Sequence, residues 1–313
     1  MLPKIVIFGS LNMDFVVQVQ RLPAPGETAL GSNFQMVPGG KGANQACAVG
    51  RVGQGTVAAC MVGRVGYDLF ADHLKASLSG AGVDVGAVHA TKSAPTGIAL
   101  IWVDAAGQNS IVVASGANFS MNPAEVESFG NVFAGARFAL FQLETPLPVV
   151  ESAVQLAKRL GVKTILDPAP ARQLSEELVA SIDILTPNET EASLLLGGDD
   201  LRIDLESASE MAKQLLARGC QAVVLKLGAL GCCYADRQVE YHVPGFPVDA
   251  VDSTAAGDVF NGALAVALAE GRGVPAALRF ANGAAALSTT RRGAQSSVPI
   301  RREVDAFLKS CAS

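Results

Sequence analysis

The sequence predicts an α/β protein with a central, mostly parallel β-sheet, helices on both faces and a small second β-sheet. Three observations carry this prediction. Short, continuously apolar runs bounded by Gly, Pro or Asp alternate with stretches of helical period, the pattern of βαβ units with right-handed crossovers. The runs lack an alternating polar face, as expected of strands covered on both sides. Two other pairs of segments alternate in part and flank turn residues, which reads as antiparallel ribbons with one exposed face.

Taken in order, KIVIFG (residues 4–9) ends in Gly as a buried parallel strand does. FVVQVQRL (15–22) and ALGSNFQMV (29–37) flank the turn-forming PAPGE. A second pair, GIALIWVD and NSIVVASG (97–116), flanks Ala105-Ala106-Gly107. TVAACMVG, FALFQLE, KTILDP, IDILTP and QAVVLKLG are the remaining strand-like runs. Between them lie helical stretches, PLPVVESAVQLAKRLG, NETEASLLLG and DLESASEMAKQLLARG. The last two close on Gly, where a helix end favours a left-handed residue. Residues 258–270 and 275–289 are Ala-rich and apolar on most faces, so both should be buried helices. No repeat or long linker interrupts the chain. The expectation is one α/β domain over residues 1–313, with a β lid made of inserted segments at about 13–38 and 95–116.

The composition of the 313 residues, 50% hydrophobic and 17% charged with 32 glycines, excludes a disordered chain. A net charge of −5 with no basic run longer than Arg291-Arg292 or Arg301-Arg302 argues against a nucleic-acid surface. MLPKIVIFGS has too few apolar positions for a signal peptide or a membrane span, so a cytoplasmic enzyme without membrane attachment is expected. The cysteines Cys47, Cys60, Cys220, Cys232, Cys233 and Cys311 show no C-x-x-C spacing and no paired His. They read as small buried hydrophobes rather than metal ligands.

The most informative segment is DSTAAGDVFNGALA (252–265). Small residues at Ala255-Ala256-Gly257 allow a ligand close to the backbone, and an apolar helix follows at once. The first free N–H groups of that helix and its dipole favour an anion. Asp258 sits in the first turn, so an anion site has a carboxylate beside it, an arrangement suited to phosphoryl transfer to a hydroxyl. Gly39-Gly40-Lys41-Gly42-Ala43-Asn44 offers backbone freedom with donors for hydroxyls or phosphate. It is not a Walker A loop, because Gln35 stands five residues before Gly40, and KIVIFG is followed by no G-x-G-x-x-G. Asn188-Glu189-Thr190-Glu191 by itself is an ordinary capping box. Ligands of an open α/β sheet lie at the carboxyl ends of its strands. Asn12, Asp14, Glu144, Asp167, Asn188, Gly228 and the Asp252 turn all follow strand-like runs and should converge there.

GGKGAN with Gly53 and Gly63 at onward spacing, Asn188-x-x-Glu191 and DSTAAGDVFNGALA occur in one order. GSLNMD, QLETP, DPAPAR, TPNETEA and RRGAQSSVP fill the intervals. With these motifs the chain resembles the ribokinase branch of the phosphofructokinase B-type carbohydrate kinases over essentially its whole length. The resemblance implies the ribokinase-like three-layer fold and phosphorylation of D-ribose at O5 by ATP. In it Asp258 is the general base, and the amides of Ala255, Ala256, Gly257 and Asp258 form an anion hole. The sugar would be held by Asn12, Met13, Asp14, Gly40, Lys41, Gly42, Ala43, Asn44 and Glu144, with Asp252 also reaching its hydroxyls.

By the same resemblance ATP would lie along Asn188, Lys226, Leu227, Gly228, Ala229, Leu230, Gly231, Gly257, Asp258 and Asn282. Mg²⁺ would have Asn188 and Glu191 in its outer shell, and K⁺ would lie by Asp252, Thr254, Ser288, Arg291, Gly293 and Ser297. Ser253 stands where Thr is commoner, Lys226 where some relatives have a small residue, and Met13 is bulky between two sugar-binding positions. A kinase of 2-deoxyribose or of another sugar or nucleoside, and a non-catalytic sugar or nucleotide sensor, remain alternatives. The intact Asp258 turn speaks against the sensor. The apolar lid strands FVVQV and IALIW imply a homodimer joined lid to lid.

Overall fold

The structure is a computed structural model that describes residues 2–198 and 204–311. In chain order its strands are β1 (Lys4–Phe8), β2 (Asn12–Gln18), β3 (Ser32–Gly39), β4 (Ala58–Gly66), β5 (Val83–Thr91), β6 (Gly97–Val103) and β7 (Asn109–Ala114). They continue as β8 (Ala136–Phe141), β9 (Lys163–Leu166), β10 (Ile184–Leu185), β11 (Ala222–Lys226), β12 (Cys232–Asp236) and β13 (Glu240–Val243). A nine-stranded sheet runs β13-β12-β11-β10-β9-β8-β1-β4-β5. Its pairs are parallel from β5 through to β11, and only β12 and β13 run antiparallel to their neighbours.

Side-chain alternation along the apolar strands builds a core on each face. Ile5 and Ile7 of β1 enter one cluster, while Val6 and Phe8 enter the other. In the same way Val224 of β11 faces the first and Val223 and Leu225 the second. Helices Lys41–Val52, Ala256–Ala269 and Val274–Thr289 supply the first layer, and Leu147–Arg159, Glu189–Leu195 and Leu205–Ala217 the second. This is the three-layer arrangement that continuous apolar strands require.

Every strand-like run of the sequence forms a strand. β5, β12 and β13 had no continuous apolar signature: VDVGAVHAT is broken by Asp, Gly and His, and the other two are only five and four residues long. The glycines closing two helices do turn left-handed, with φ of 76° at Gly197 and 110° at Gly219. Five cysteines are buried as expected, but Cys311 is exposed beyond the last helix.

The two ribbons of the sequence are one sheet, in the order β3-β2-β6-β7. β2 pairs antiparallel with β3 and parallel with β6, so the contact between ribbons comes from chain segments some 80 residues apart (Asn12 opposite Gly97 to Gln18 opposite Val103). β2 starts at Asn12, three residues before the apolar run does, and follows β1 after only Gly9-Ser10-Leu11. This places the residues after β1 at the junction of the two sheets.

Helix Ala256–Ala269 begins two residues earlier than its apolar pattern, because Ala255 takes a left-handed φ of 61° and turns the chain into it. It lies close against helix Lys41–Val52 at Gly262. A Cβ there would stand 2.6 Å from the Ala48 Cβ and 3.0 Å from the Gln45 carbonyl. That glycine contact brings the start of one helix beside the start of the other.

Candidate active site

The loop after β1 is clamped from the far side of the small sheet. The Asn118 amide accepts from the Leu11 N–H at 2.9 Å and donates to the Leu11 carbonyl at 3.0 Å and to Asn12 Oδ1 at 2.7 Å. Glu144, after β8, accepts from Ser10 Oγ at 2.6 Å, from the Lys41 N–H at 3.0 Å and weakly from Asn12 Nδ2 at 3.5 Å. Gly40 makes this approach possible: its φ is +89°, and a Cβ would lie 2.7 Å from the Asn12 nitrogen. The Asp14 carboxylate lies against the bare Cα of Gly39, where any side chain would collide with it. Asp14 is buried, and among the described residues no hydrogen bond holds it. Burial first, then the negative charges of Glu144 and Asp258, push its pKa up to about 7. Met13 corrects the sequence reading. It is fully buried in the core, and strand alternation turns it to the opposite face of β2 from Asn12 and Asp14, so it cannot press on a ligand there.

Asp258 is 5% exposed. Its Oδ2 accepts from Asn44 Nδ2 at 3.1 Å and its Oδ1 from Gln45 Nε2 at 3.2 Å. Burial raises its pKa to about 6, with Asp167 adding to the rise, while Lys41 and the two amide donors oppose it. Lys41 is half-buried, and desolvation works against its charge, but Asp258, Asp167, Glu144 and Glu191 together outweigh that and keep it protonated. Gln45 Nε2 also donates to Asp167 Oδ2 at 3.0 Å, and Gln142 Nε2 holds Gln45 Oε1 at 2.7 Å, which fixes the orientation of that amide. On its other oxygen Asp167 pairs with Lys226 Nζ at 2.8 Å.

At the start of helix Ala256–Ala269 the expected set of free amides narrows. The Ala256 N–H already donates to the Ser253 carbonyl at 3.1 Å. Among the described residues those of Ala255, Gly257 and Asp258 have no partner, and they are the groups left for an anion.

Asn188 and Glu191 cap their helix reciprocally, each backbone N–H donating to the other's side chain at 2.8 Å. Burial raises the Glu191 pKa, partly offset by Lys226. Leu227 is buried, and Gly228-Ala229-Leu230-Gly231 makes a tight turn with φ of +53° and +94° at its glycines. Asn282 Nδ2 donates to the Val243 and Pro244 carbonyls at 3.1 and 3.2 Å, joining the last Ala-rich helices to the sheet edge.

The Asp252 set forms a second, adjoining group. Asp252 accepts from the Thr254 N–H at 2.9 Å and the Gly293 N–H at 2.8 Å. Burial would raise its pKa, but the Gly293 and Thr254 donors, with Arg292 nearby, hold it below the usual range. The carboxylate thus ties the turn to the 288–297 segment, and among the described residues no hydrogen bond joins it to the Asp258 cluster. The Arg291 guanidinium pairs with Glu303, and the Ser288 and Ser297 hydroxyls donate to the Ala285 and Ala294 carbonyls.

All these groups stand at the carboxyl ends of the parallel strands. A wide cavity of about 1640 Å³, lined by Lys4, Thr56, Arg137, Lys163, Glu270 and Arg272 among others, lies at the opposite ends and contains none of them.

This geometry has close counterparts. The model of the pfkB family of carbohydrate kinases matches residues 2–301. The chain belongs to that family. It is 41% identical to the ribokinase of Haemophilus influenzae over 305 residues, 97% of this chain and 98% of that one. It is 32% identical to the deoxyribokinase of Salmonella typhimurium over 306 residues, 97% of this chain and 98% of that one. The structure of Arabidopsis thaliana ribokinase complexed with ribose and ATP superposes with a TM-score of 0.88 at 35% identity, covering 99% of each chain.

Sequence reasoning missed Gln45, Gln142 and Asn118 as parts of a pfkB site. Each is a polar residue nearly fully buried (1%, 1% and 2% exposed). The available signal was an amide among small or apolar neighbours, as in Asn44-Gln45-Ala46 and Phe141-Gln142-Leu143.

Asp14 carries a pH signature. Its folded pKa of about 7 exceeds the ordinary 3.8, so the folded protein binds that proton more tightly, and stability falls as pH rises between those values. Asp14→Asn should therefore raise the thermal midpoint by about 2–4 °C at pH 8 and give a smaller gain at pH 5. A pH-independent shift in paired melting curves would show that ionisation is not the cause.

Proposed function

We propose that this pfkB carbohydrate kinase phosphorylates D-ribose at O5 with ATP, giving ribose 5-phosphate and ADP. The observation that carries this is Asp258, held by Asn44 and Gln45 in the first turn of a helix whose Ala255, Gly257 and Asp258 amides are free. On the acceptor side stand Asn12, Asp14, Asn44 and Glu144, carboxylates and amides that match the hydroxyls of a pentose. On the donor side stand the 226–231 turn, Asn188 and Asn282.

In the reaction Asp258 takes the proton from the O5 hydroxyl as that oxygen bonds to the γ-phosphorus and the bond to the ADP oxygen breaks. Charge on the transferred group meets the three free amides. A base with a pKa near 6 is ionised at neutral pH and suits a loose transition state that needs little early proton removal. Mg²⁺ and K⁺ belong to this reading. Glu191 Oε1 and Asn188 fit the outer shell of a Mg²⁺ that keeps its phosphate and water ligands and neutralises phosphate charge. The Asp252 carboxylate, with carbonyl and hydroxyl oxygens offered by Thr254, Ser288, Arg291, Gly293 and Ser297, suits a K⁺ in this reading.

The chain acts in this reading as one α/β unit, with β2, β3, β6 and β7 as a lid. β2 carries Asn12 and Asp14, so closure of that sheet shields the sugar from water. The lid also exposes apolar side chains: Leu30 is 92% exposed, Phe34, Met36 and Val112 are exposed on the face opposite Asp14, and Ile111 and Val113 on the Asp14 face. A second copy of the chain would cover it, so light scattering at micromolar concentration should give a dimer mass, and a monomer would refute the lid-to-lid contact.

A coupled ADP-release assay across ribose, 2-deoxyribose, fructose and adenosine should give ribose the highest kcat/KM. A higher value for 2-deoxyribose would make the chain a deoxyribose kinase. Asp258→Asn should lower kcat by about 10²–10⁴ while sugar affinity stays within about tenfold. In the wild type kcat should fall as pH drops through about 6. Retention of most turnover by the variant would remove Asp258 from the mechanism.

A further inference from the structure

Lys226 ends β11 beside Asn188, its N–H donating to the Pro187 carbonyl at 2.8 Å. Its ammonium does not point to the nucleotide turn that follows. It bends back to Asp167, and both side chains are largely buried, 12% and 3% exposed. The position of a Cβ on Gly257 would be 3.5 Å from Nζ, so the charge rests against the turn that presents the free amides. Asn261, one turn further along nearly the same helix face, is fully buried with neither amide atom hydrogen-bonded among the described residues. This flank of the anion site therefore holds one parked cation and unmet polar capacity.

We propose that Lys226 is a γ-phosphate ligand held in reserve on Asp167, and that it moves from the carboxylate to the transferred phosphoryl group when ATP binds. The proposal rests on the ATP-kinase reading above. Its physical basis is distance and charge. A terminal phosphate seated on the Ala255, Gly257 and Asp258 amides would lie beside Nζ, and a four-carbon stem can cross that gap without backbone movement. A β-phosphate lies one P–O–P link further from the amides, so Lys226 would favour ATP over ADP and ease product release. Departure of the ammonium would also leave Asp167 uncompensated. Through Gln45, which joins Asp167 to Asp258, the added negative charge would favour proton uptake by Asp258 once the phosphoryl group is in place.

The test compares binding of a non-hydrolysable ATP analogue with imino-linked β- and γ-phosphates against binding of ADP, both with Mg²⁺, by calorimetry. Lys226→Met should weaken the analogue about 10- to 100-fold and ADP less than about threefold, the scale of one charge-assisted hydrogen bond. Equal loss for both nucleotides, or loss for neither, overturns the proposal. If Lys226 serves only to neutralise Asp167, Lys226→Met combined with Asp167→Asn will restore analogue affinity. Under the proposal the pair stays selectively weak. The double variant leaves no buried unpaired charge, so it decides the matter even if the single variant fails to fold. A wild type that binds neither nucleotide would instead refute the kinase reading.

Discussion

A carboxylate buried at the start of an apolar helix is the constraint on which the rest of the structure depends. Ionised and alone, Asp258 would be strongly disfavoured there. It is tolerated because Asn44 and Gln45 donate to its two oxygens and Lys41 supplies positive charge nearby. All three partners come from the first turns of one helix, so that helix must lie tightly against Ala256–Ala269. Gly262 permits the contact. Gln45 is fixed in turn by Gln142, and Lys41 by its backbone bond to Glu144. A chemical requirement at one atom thus propagates into helix packing and into the loops after β1 and β8.

The site works against stability. Asp14 and Asp258 both have raised pKa values, chiefly from burial, so the charged forms proposed to bind and deprotonate a sugar are those the fold disfavours. The two apolar core layers, and the Ala-rich helices in particular, offset this cost. Among the described residues Asp14 lacks even the hydrogen bonds that Asp258 has, which fits the proposal that its partner is a ligand.

The short loop from β1 to β2 makes the two sheets one device. Asn12 and Asp14 belong to the small sheet, whereas Glu144 and Asp258 belong to the large sheet and its helix layer. Asn118, from the turn after β7, locks the hinge between them at Leu11 and Asn12. Motion of the small sheet would therefore be felt first by the groups proposed to touch sugar.

Much of this was legible in the chain. Continuous apolar runs such as KIVIFG and QAVVLKLG can only be strands covered on both faces, and the Ala-rich C-terminal helices can only be buried, because hydrophobic periodicity is local. The small-residue turn before Asp258 is equally local, which is why an anion-binding helix start could be read there. Other features were decided by tertiary structure. The pairing of β2 with β6 depends on segments far apart in sequence. The removal of Met13 to the core follows from where β2 begins. The Ala256 amide is taken by Ser253 only because Ala255 turns left-handed. The Gln45, Gln142 and Asn118 amides have no sequence signature beyond burial, since what gives each its role is a partner more than 90 residues away. The sequence by itself determined the layers and the chemistry of the turn at 252–258, whereas only the folded chain decided which polar groups hold that chemistry in place, because hydrogen-bond partnership is a property of space and not of order along the chain.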